Sequence, residues 1–118
     1  MKSLVLVLVL LAWFVTPSNA DFDAGVAAFE RGDYATAFRE FKPLAEKGET
    51  AAQYNLGLMY SQGRGVPQDY VQAHMWFNLA AAQDIKYAAD SRDEIANGIT
   101  PAQIAEAQRL AREWKPKK

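Results

Sequence analysis

An internal repeat constrains the fold of this sequence more than any other feature. The stretch DYATAFREF at 33–41 matches DYVQAHMWF at 69–77 with an offset of 36 residues, and Ala45 continues the match onto Ala81. Upstream, FERG at 29–32 matches YSQG at 60–63 with an offset of 31 residues. The two offsets differ because of the stretch RGVPQ at 64–68, which only the second unit contains. One unit alone would expose an apolar face, so we expect the two units to stack.

Within both units apolar residues recur every three or four positions, which is the period of a helix with one buried face. The pattern predicts two helices within 51–82, joined by the glycine-rich loop 63–68. Further helices are predicted at 21–31, 34–47, 86–96 and 100–114. Side chains suited to cap a helix precede or begin four of the six, at Asp33, Thr50, Asp69 and Thr100. No strand-like alternation follows residue 20, so the predicted fold class is all-α.

The first twenty residues have the pattern of a secretory signal peptide. Lys2 precedes an unbroken apolar run from Leu4 to Val15, and Ser18-Asn19-Ala20 places small residues where a signal peptidase cleaves. The run is shorter than the roughly 20 residues that span a bilayer. We therefore expect a signal peptide at 1–20 and an exported domain at 21–118. An uncleaved signal that anchors the protein to the membrane is the alternative.

The central unit carries the pattern Y-x-L-G-x-M-Y-x-x-G-x-G-V-x-x-D-x-x-x-A-x-x-W-F-x-x-A-A at 54–81. This pattern is similar to the Sel1-like repeat, a relative of the tetratricopeptide repeat, over residues 51–84. Residues 22–48 resemble a shorter unit of the tetratricopeptide type, and 86–114 a degenerate third unit whose last helix caps the array. The resemblance implies a short right-handed α-solenoid that serves as a scaffold for protein–protein contacts. It also suggests a bacterial protein, which the signal peptide would direct to the periplasm or outside the cell.

Residue types that carry catalysis or bind metals are sparse in this sequence. There is no cysteine, His74 is the only histidine, and the formal charge of −1 gives no attraction to nucleic acid. His74 is interpreted as a surface or boundary residue, because it lies off the main apolar stripe of its helix. Asp90, Asp93 and Glu94 are interpreted as a solvated helix face rather than a cation site. We therefore predict no enzyme activity, no metal and no cofactor.

The surface of the first helix in each unit is the predicted partner-binding site, since this helix usually lines the concave side of stacked helix pairs. Its solvent-facing positions in the central unit are predicted to be Gln53, Asn55, Leu58 and Gln62. The offset of 31 residues gives Phe22, Ala24, Ala27 and Arg31 as their equivalents in the first unit. This mixture of small, apolar and amide groups suits an extended peptide or a partner helix. The expected partner is another protein, in the cell envelope.

Two other functions are compatible with the sequence. Some cysteine-rich Sel1-like proteins have been linked to penicillin binding or hydrolysis, so an envelope enzyme or a binder of peptidoglycan or β-lactam-type ligands is the alternative. The absence of cysteine separates this chain from that group. A purely structural envelope component, held by an uncleaved signal, is the third hypothesis.

Overall fold

The computed structural model describes residues 20–118, and these form six α-helices without a strand. The predicted signal segment, apart from Ala20, lies outside the described residues. The helices are α1 (Ala20–Glu30), α2 (Tyr34–Glu46), α3 (Thr50–Gln62), α4 (Tyr70–Ala81), α5 (Lys86–Ala96) and α6 (Pro101–Glu113). The predicted helices agree with these bounds to within one or two residues, and the all-α prediction is confirmed.

Each helix packs on the next from α1 to α5, so the chain is an α-solenoid of helical repeats. The last helix makes its main contact with α4 rather than with its sequence neighbour α5. Apolar side chains from α1 to α4 form one continuous core, with Phe41, Leu56 and Met59 at its centre. Trp76 is also buried in it, and Tyr60 is half-buried and packs edge-on against Phe38 at 5.7 Å. Both aromatics therefore serve the core, as their helical spacing predicts.

Side-chain caps begin three of the helices as the sequence predicts. The carboxylate of Asp33 accepts from the backbone N–H of Thr36 at 3.3 Å, and that of Asp69 accepts from Gln72 at 3.1 Å. Thr100 forms the full reciprocal capping box with the third residue of α6. Each cap satisfies a donor that has no partner within its helix.

The predicted cap at Thr50 is wrong. Glu49 is the residue that precedes α3, and its side chain makes no capping hydrogen bond. The hydroxyl of Thr50 instead donates to Oε1 of Gln83 at 2.7 Å. A partner 33 residues away in sequence therefore replaces the local bond that the spacing favours.

The loop found only in the second unit lies against the first unit. The guanidinium of Arg64 stacks over the ring of Tyr34 at 5.0 Å and over that of Phe29 at 5.8 Å. Gly65 has a φ of +77°, and a Cβ there would collide with the carbonyl oxygen of Tyr34. The glycines of this loop allow that close approach, which agrees with the predicted glycine-rich loop between two helices.

The C-terminal tail also returns to the first unit. Trp114 packs edge-on against Trp76 with 6.5 Å between ring centroids. Beyond it, the backbone N–H of Lys117 donates to the carbonyl oxygen of Glu46 at 2.8 Å, and its ammonium pairs with the Glu46 carboxylate at 2.9 Å. The tail thus satisfies a carbonyl at the end of α2, where a helix has unpaired acceptors.

Candidate partner-binding clefts

Two clefts open between successive first helices of the repeat. The first cleft, between α1 and α3, has a volume of about 180 Å³ and Phe41 of α2 at its base. Val26, Phe29 and Glu30 line it on α1, and Asn55 and Leu58 line it on α3. Apolar side chains thus cover most of its wall.

The second cleft lies between α3 and α5 and has a volume of about 320 Å³. Its base consists of Tyr70 and Phe77 of α4, and its α3 wall consists of Leu58, Ser61 and Gln62. The α5 side and the turn after it contribute Ser91, Glu94, Ile95 and Gly98. Leu58 lines both clefts, so they adjoin along α3.

Matching glycine–phenylalanine contacts show that the two clefts are repeats of one another. A Cβ on Gly25 would lie 2.5 Å from the ring of Phe41, and a Cβ on Gly57 would lie 2.5 Å from the ring of Phe77. In each unit a second aromatic ring packs on that phenylalanine. The ring centroids are 5.4 Å apart for Phe22 and Phe41, and 5.5 Å apart for Tyr54 and Phe77. Gly25 is therefore equivalent to Gly57, an offset of 32 residues.

This offset corrects the predicted first-unit site by one position. With an offset of 32, Leu58 corresponds to Val26 rather than Ala27, and Gln62 corresponds to Glu30 rather than Arg31. One residue rotates a side chain by about 100° around a helix. Ala27 and Arg31 are exposed, but they line neither cleft.

The sequence alignment matched Gly32 with Gly63, but α1 ends two residues before its glycine and α3 ends directly before its own. Aligning Gly25 with Gly57 gives the structural register, in which Leu58 and Gln62 correspond to Val26 and Glu30; Phe29 corresponds to Ser61, which is not one of the predicted positions. The α5 residues that line the second cleft lie outside the matched repeat pattern, so no comparable signal identified them.

Three of the predicted central-unit residues do line the clefts. Asn55 lines the first cleft, Gln62 lines the second, and Leu58 lines both. Phe22 and Ala24 of the first unit do not line either cleft, since Phe22 packs on Phe41 and Ala24 faces solvent.

Gln53 was predicted to face solvent, and this prediction is wrong because the side chain is 0% exposed. Its Nε2 donates to the carbonyl oxygen of Ala45 at 3.2 Å, and its Oε1 accepts from Nε2 of Gln83 at 3.0 Å. Gln53 therefore joins the ends of α2 and α4 to the start of α3. A buried amide is stable only when such partners exist.

His74 was predicted to lie at the surface, and it is instead buried, with 3% of its area exposed. Its Nδ1 has no hydrogen-bond partner among residues 20–118. Burial lowers the pKa of His74, and the positive charge of Arg92 lowers it further, while the carboxylate of Asp93 opposes the shift. The neutral form of the imidazole is therefore favoured. It lines neither cleft.

The charge in the two clefts is acidic. Glu30 lies at the first cleft and Glu94 at the second, and neither takes part in an ion pair found within residues 20–118. In this part of the chain no lysine or arginine lines either cleft. Within the same residues no group of three or more acidic or histidine side chains has a geometry that could hold a metal ion.

Comparison with known proteins defines the class. The model of the Sel1 repeat matches residues 50–85, the segment that contains α3, the glycine loop and α4. The crystal structure of a protective antigen from uropathogenic Escherichia coli strains, which displays an SLR fold, is similar with a TM-score of 0.74 and 33% identity. That similarity covers 80% of this chain and 21% of the antigen chain. Residues 50–85 therefore form a Sel1 repeat within a chain whose fold is similar to an SLR fold, and repeats of this kind typically form scaffolds for protein–protein contacts.

Curated relatives include bacterial and mammalian proteins. The alginate biosynthesis protein AlgK of Pseudomonas aeruginosa is 33% identical over 66 residues, which cover 56% of this chain and 14% of AlgK. An exopolysaccharide production negative regulator of Rhizobium leguminosarum is 28% identical over 66% of this chain and 29% of its own length. The DAP3-binding cell death enhancer 1 of Rattus norvegicus is 43% identical over 42% of this chain and 10% of its own length. The chain thus spans less than a third of the length of each relative.

Among residues 20–118, no helix is both long and apolar enough to cross a membrane.

Proposed function

We propose that this protein is an exported, non-enzymatic scaffold that holds a segment of another protein in the two clefts. The observation that carries the proposal is the pair of adjoining clefts, which meet at Leu58 and are related by the repeat. Successive first helices do not fill the space between them, and the base of each space is a buried phenylalanine ring. Such a row of repeated depressions suits a ligand that extends along the solenoid.

The positions of the titratable groups also favour binding over catalysis. The only histidine is buried and its pKa is lowered, and it lies in neither cleft. The serine hydroxyls in the second cleft, on Ser61 and Ser91, have no histidine beside them to act as a base. The groups that line the clefts can therefore donate and accept hydrogen bonds, and a binding role needs no more.

Export is part of the proposal and rests on the pattern of the first twenty residues. Two relatives carry names from alginate biosynthesis and exopolysaccharide production, which supports a place in the cell envelope. Amino-terminal sequencing of the protein from its host tests this point. A first residue of Asp21 is expected, whereas an intact Met1 would favour an anchored protein.

In-cell crosslinking tests the binding role. A photo-crosslinking residue at position 58 should capture one defined protein, because Leu58 lines both clefts. The same residue at position 105 on α6 is the matched control, since Ala105 is exposed and lines neither cleft. Equal capture from positions 58 and 105, or none from 58, would contradict a binding role for the clefts.

A second variant tests the same surface without a crosslinker. Replacing Leu58 with aspartate should abolish the capture of that protein while circular dichroism stays unchanged, because Leu58 is only partly buried. Replacing Ala105 with aspartate is the control and should leave capture intact. If the protein were captured equally well by both variants, the clefts would not be the binding site.

A further inference from the structure

The two clefts are equivalent in position but differ in the polarity of their walls. In the first cleft the α1 positions equivalent to Leu58 and Ser61 are occupied by Val26 and Phe29, so its wall is apolar. In the second cleft Ser61 and Gln62 face Ser91 and Glu94 across the gap. The same backbone arrangement thus presents a mainly apolar depression, with Glu30 as its one charged side chain, beside a mainly polar depression that contains Glu94.

The size of the first cleft suits one side chain. Apolar cavities of about 150 Å³ accept a benzene molecule. The first cleft, at about 180 Å³, therefore has room for a side chain such as leucine, methionine or phenylalanine. Its walls of Val26, Phe29 and Leu58 above the Phe41 ring would remove that side chain from water, which is the main source of affinity at such a site.

The charge of the second cleft suits a cation. Glu94 is exposed, forms no ion pair within residues 20–118, and lies beside three neutral hydrogen-bonding side chains, those of Ser61, Gln62 and Ser91. A guanidinium group has five N–H donors and an ammonium group has three, so either cation can pair with Glu94 and donate to some of its neutral neighbours. None of the basic residues within 20–118 lines this cleft.

The distance between the clefts suits an extended chain. The two clefts lie on either side of α3, and a helix with its side chains is about 10–12 Å across, so the clefts are separated by roughly that distance. An extended chain advances about 3.3–3.6 Å per residue. Side chains three residues apart in such a segment would therefore reach adjacent clefts.

We propose that the partner segment is an extended peptide with an apolar side chain in the first cleft and a lysine or arginine about three residues away at Glu94. This assignment rests on the proposed scaffold function and adds the chemistry of the ligand. The protein's own tail has a tryptophan and a lysine at that spacing, Trp114 and Lys117, but both are engaged with the core and with Glu46. The ligand is therefore a segment of a different chain.

Selection from a library of random twelve-residue peptides on the purified full-length protein tests the proposal. Enriched peptides should share an apolar residue and a lysine or arginine two to four positions apart. Their affinity, measured by fluorescence anisotropy, should fall about thirtyfold or more in the Leu58→Asp variant, because a buried anchor contact would be lost. Circular dichroism of that variant checks that it is folded.

Charge reversal separates this proposal from the scaffold function. Glu94→Lys should weaken the basic peptides about five- to tenfold, and repeated selection on this variant should enrich acidic residues at the same position. Glu40→Lys is the matched control, since Glu40 lies on α2, lines neither cleft and carries the same change of charge.

Each outcome supports or overturns one of the two proposals. Peptides without a basic residue, but dependent on Leu58, would overturn the ligand assignment and leave the scaffold function standing. Equal effects of Glu94→Lys and Glu40→Lys would also overturn the assignment. Peptides whose binding does not depend on Leu58, or no enrichment, would overturn both. Preferential enrichment of the protein's own C-terminal sequence would show that the occupant is a second copy.

Discussion

Replacing Gly57 with alanine should destabilise the protein, although alanine is the better helix former. Gly57 lies in the middle of α3, where the ring of Phe77 packs directly on its backbone. An added methyl group would lie 2.5 Å from both Cδ1 and Cε1 of that ring. Carbon atoms pack best about 3.5–4.0 Å apart, so the methyl is about 1 Å too close to two atoms.

The size of the effect follows from two opposing contributions. Phe77 is 1% exposed, so its ring cannot move away into solvent. Overpacking of this kind costs about 3 kcal/mol at the upper end of its usual range. The better helix propensity of alanine returns about 1 kcal/mol. The net loss in the free energy of unfolding should be about 2 kcal/mol, which lowers the Tm of a domain this size by about 8–16 °C.

Thermal unfolding followed by circular dichroism at 222 nm, a wavelength that reports helix content, would measure this shift. Gly98→Ala is the matched control, because the nearest atom to a Cβ there lies at an ordinary 3.6 Å. Its Tm should stay equal or rise slightly. A double variant with Phe77→Leu should lose less on addition of the Gly57 methyl, since the smaller side chain can make room.

A Gly57→Ala variant that melts at or above the temperature of the unmodified protein would refute the reasoning. It would mean that α3 and α4 can separate without cost, and that the glycine–phenylalanine contact does not fix the repeat. The equivalence of Gly25 and Gly57, and with it the corrected register of the first cleft, would then lose its physical basis.

Two further predictions concern buried polar groups. Gln53→Leu should lower the free energy of unfolding by about 1–3 kcal/mol, because Gln83 and the Ala45 carbonyl would lose a buried hydrogen-bond partner. Urea denaturation measures this loss. An unchanged free energy of unfolding would show that water replaces the amide. The lowered pKa of His74 means that the unfolded chain binds a proton more readily, so stability should decline as the pH falls below about 6.5. Denaturation at pH 7.5 and 5.5 should show that the free energy of unfolding declines less in the His74→Gln variant than in the unmodified protein. An equal decline in the two proteins would contradict the effect of burial and of Arg92 on the pKa of this histidine.

The sequence alone determined the local structure. Helical period, capping residues and glycines act within a few positions along the chain, so they predicted all six helices, the caps at Asp33, Asp69 and Thr100, and the turn at 63–68. The repeat also predicted the stacking of two units, because each unit leaves an apolar face that only another unit can cover. The motif at 54–81 then indicated the Sel1-like family.

Only the tertiary structure decided which side chains face the clefts. An error of one residue in aligning α1 with α3 rotates the predicted surface by about 100°, so Ala27 and Arg31 were chosen in place of Val26 and Glu30. The alignment could not detect this, because the register depends on how closely a glycine approaches a phenylalanine of another helix.

The same reason explains the buried polar residues. Gln53 is the same residue type as the exposed Gln62 on the same helix, and its burial depends on an acceptor supplied by Ala45 and a donor supplied by Gln83, which lies 30 residues further on. His74 is buried although it lies off the main apolar stripe of its helix, and Arg92 on the neighbouring α5 helps to lower its pKa. Local sequence rules describe one helix at a time, whereas burial is a property of all the helices that pack around a side chain.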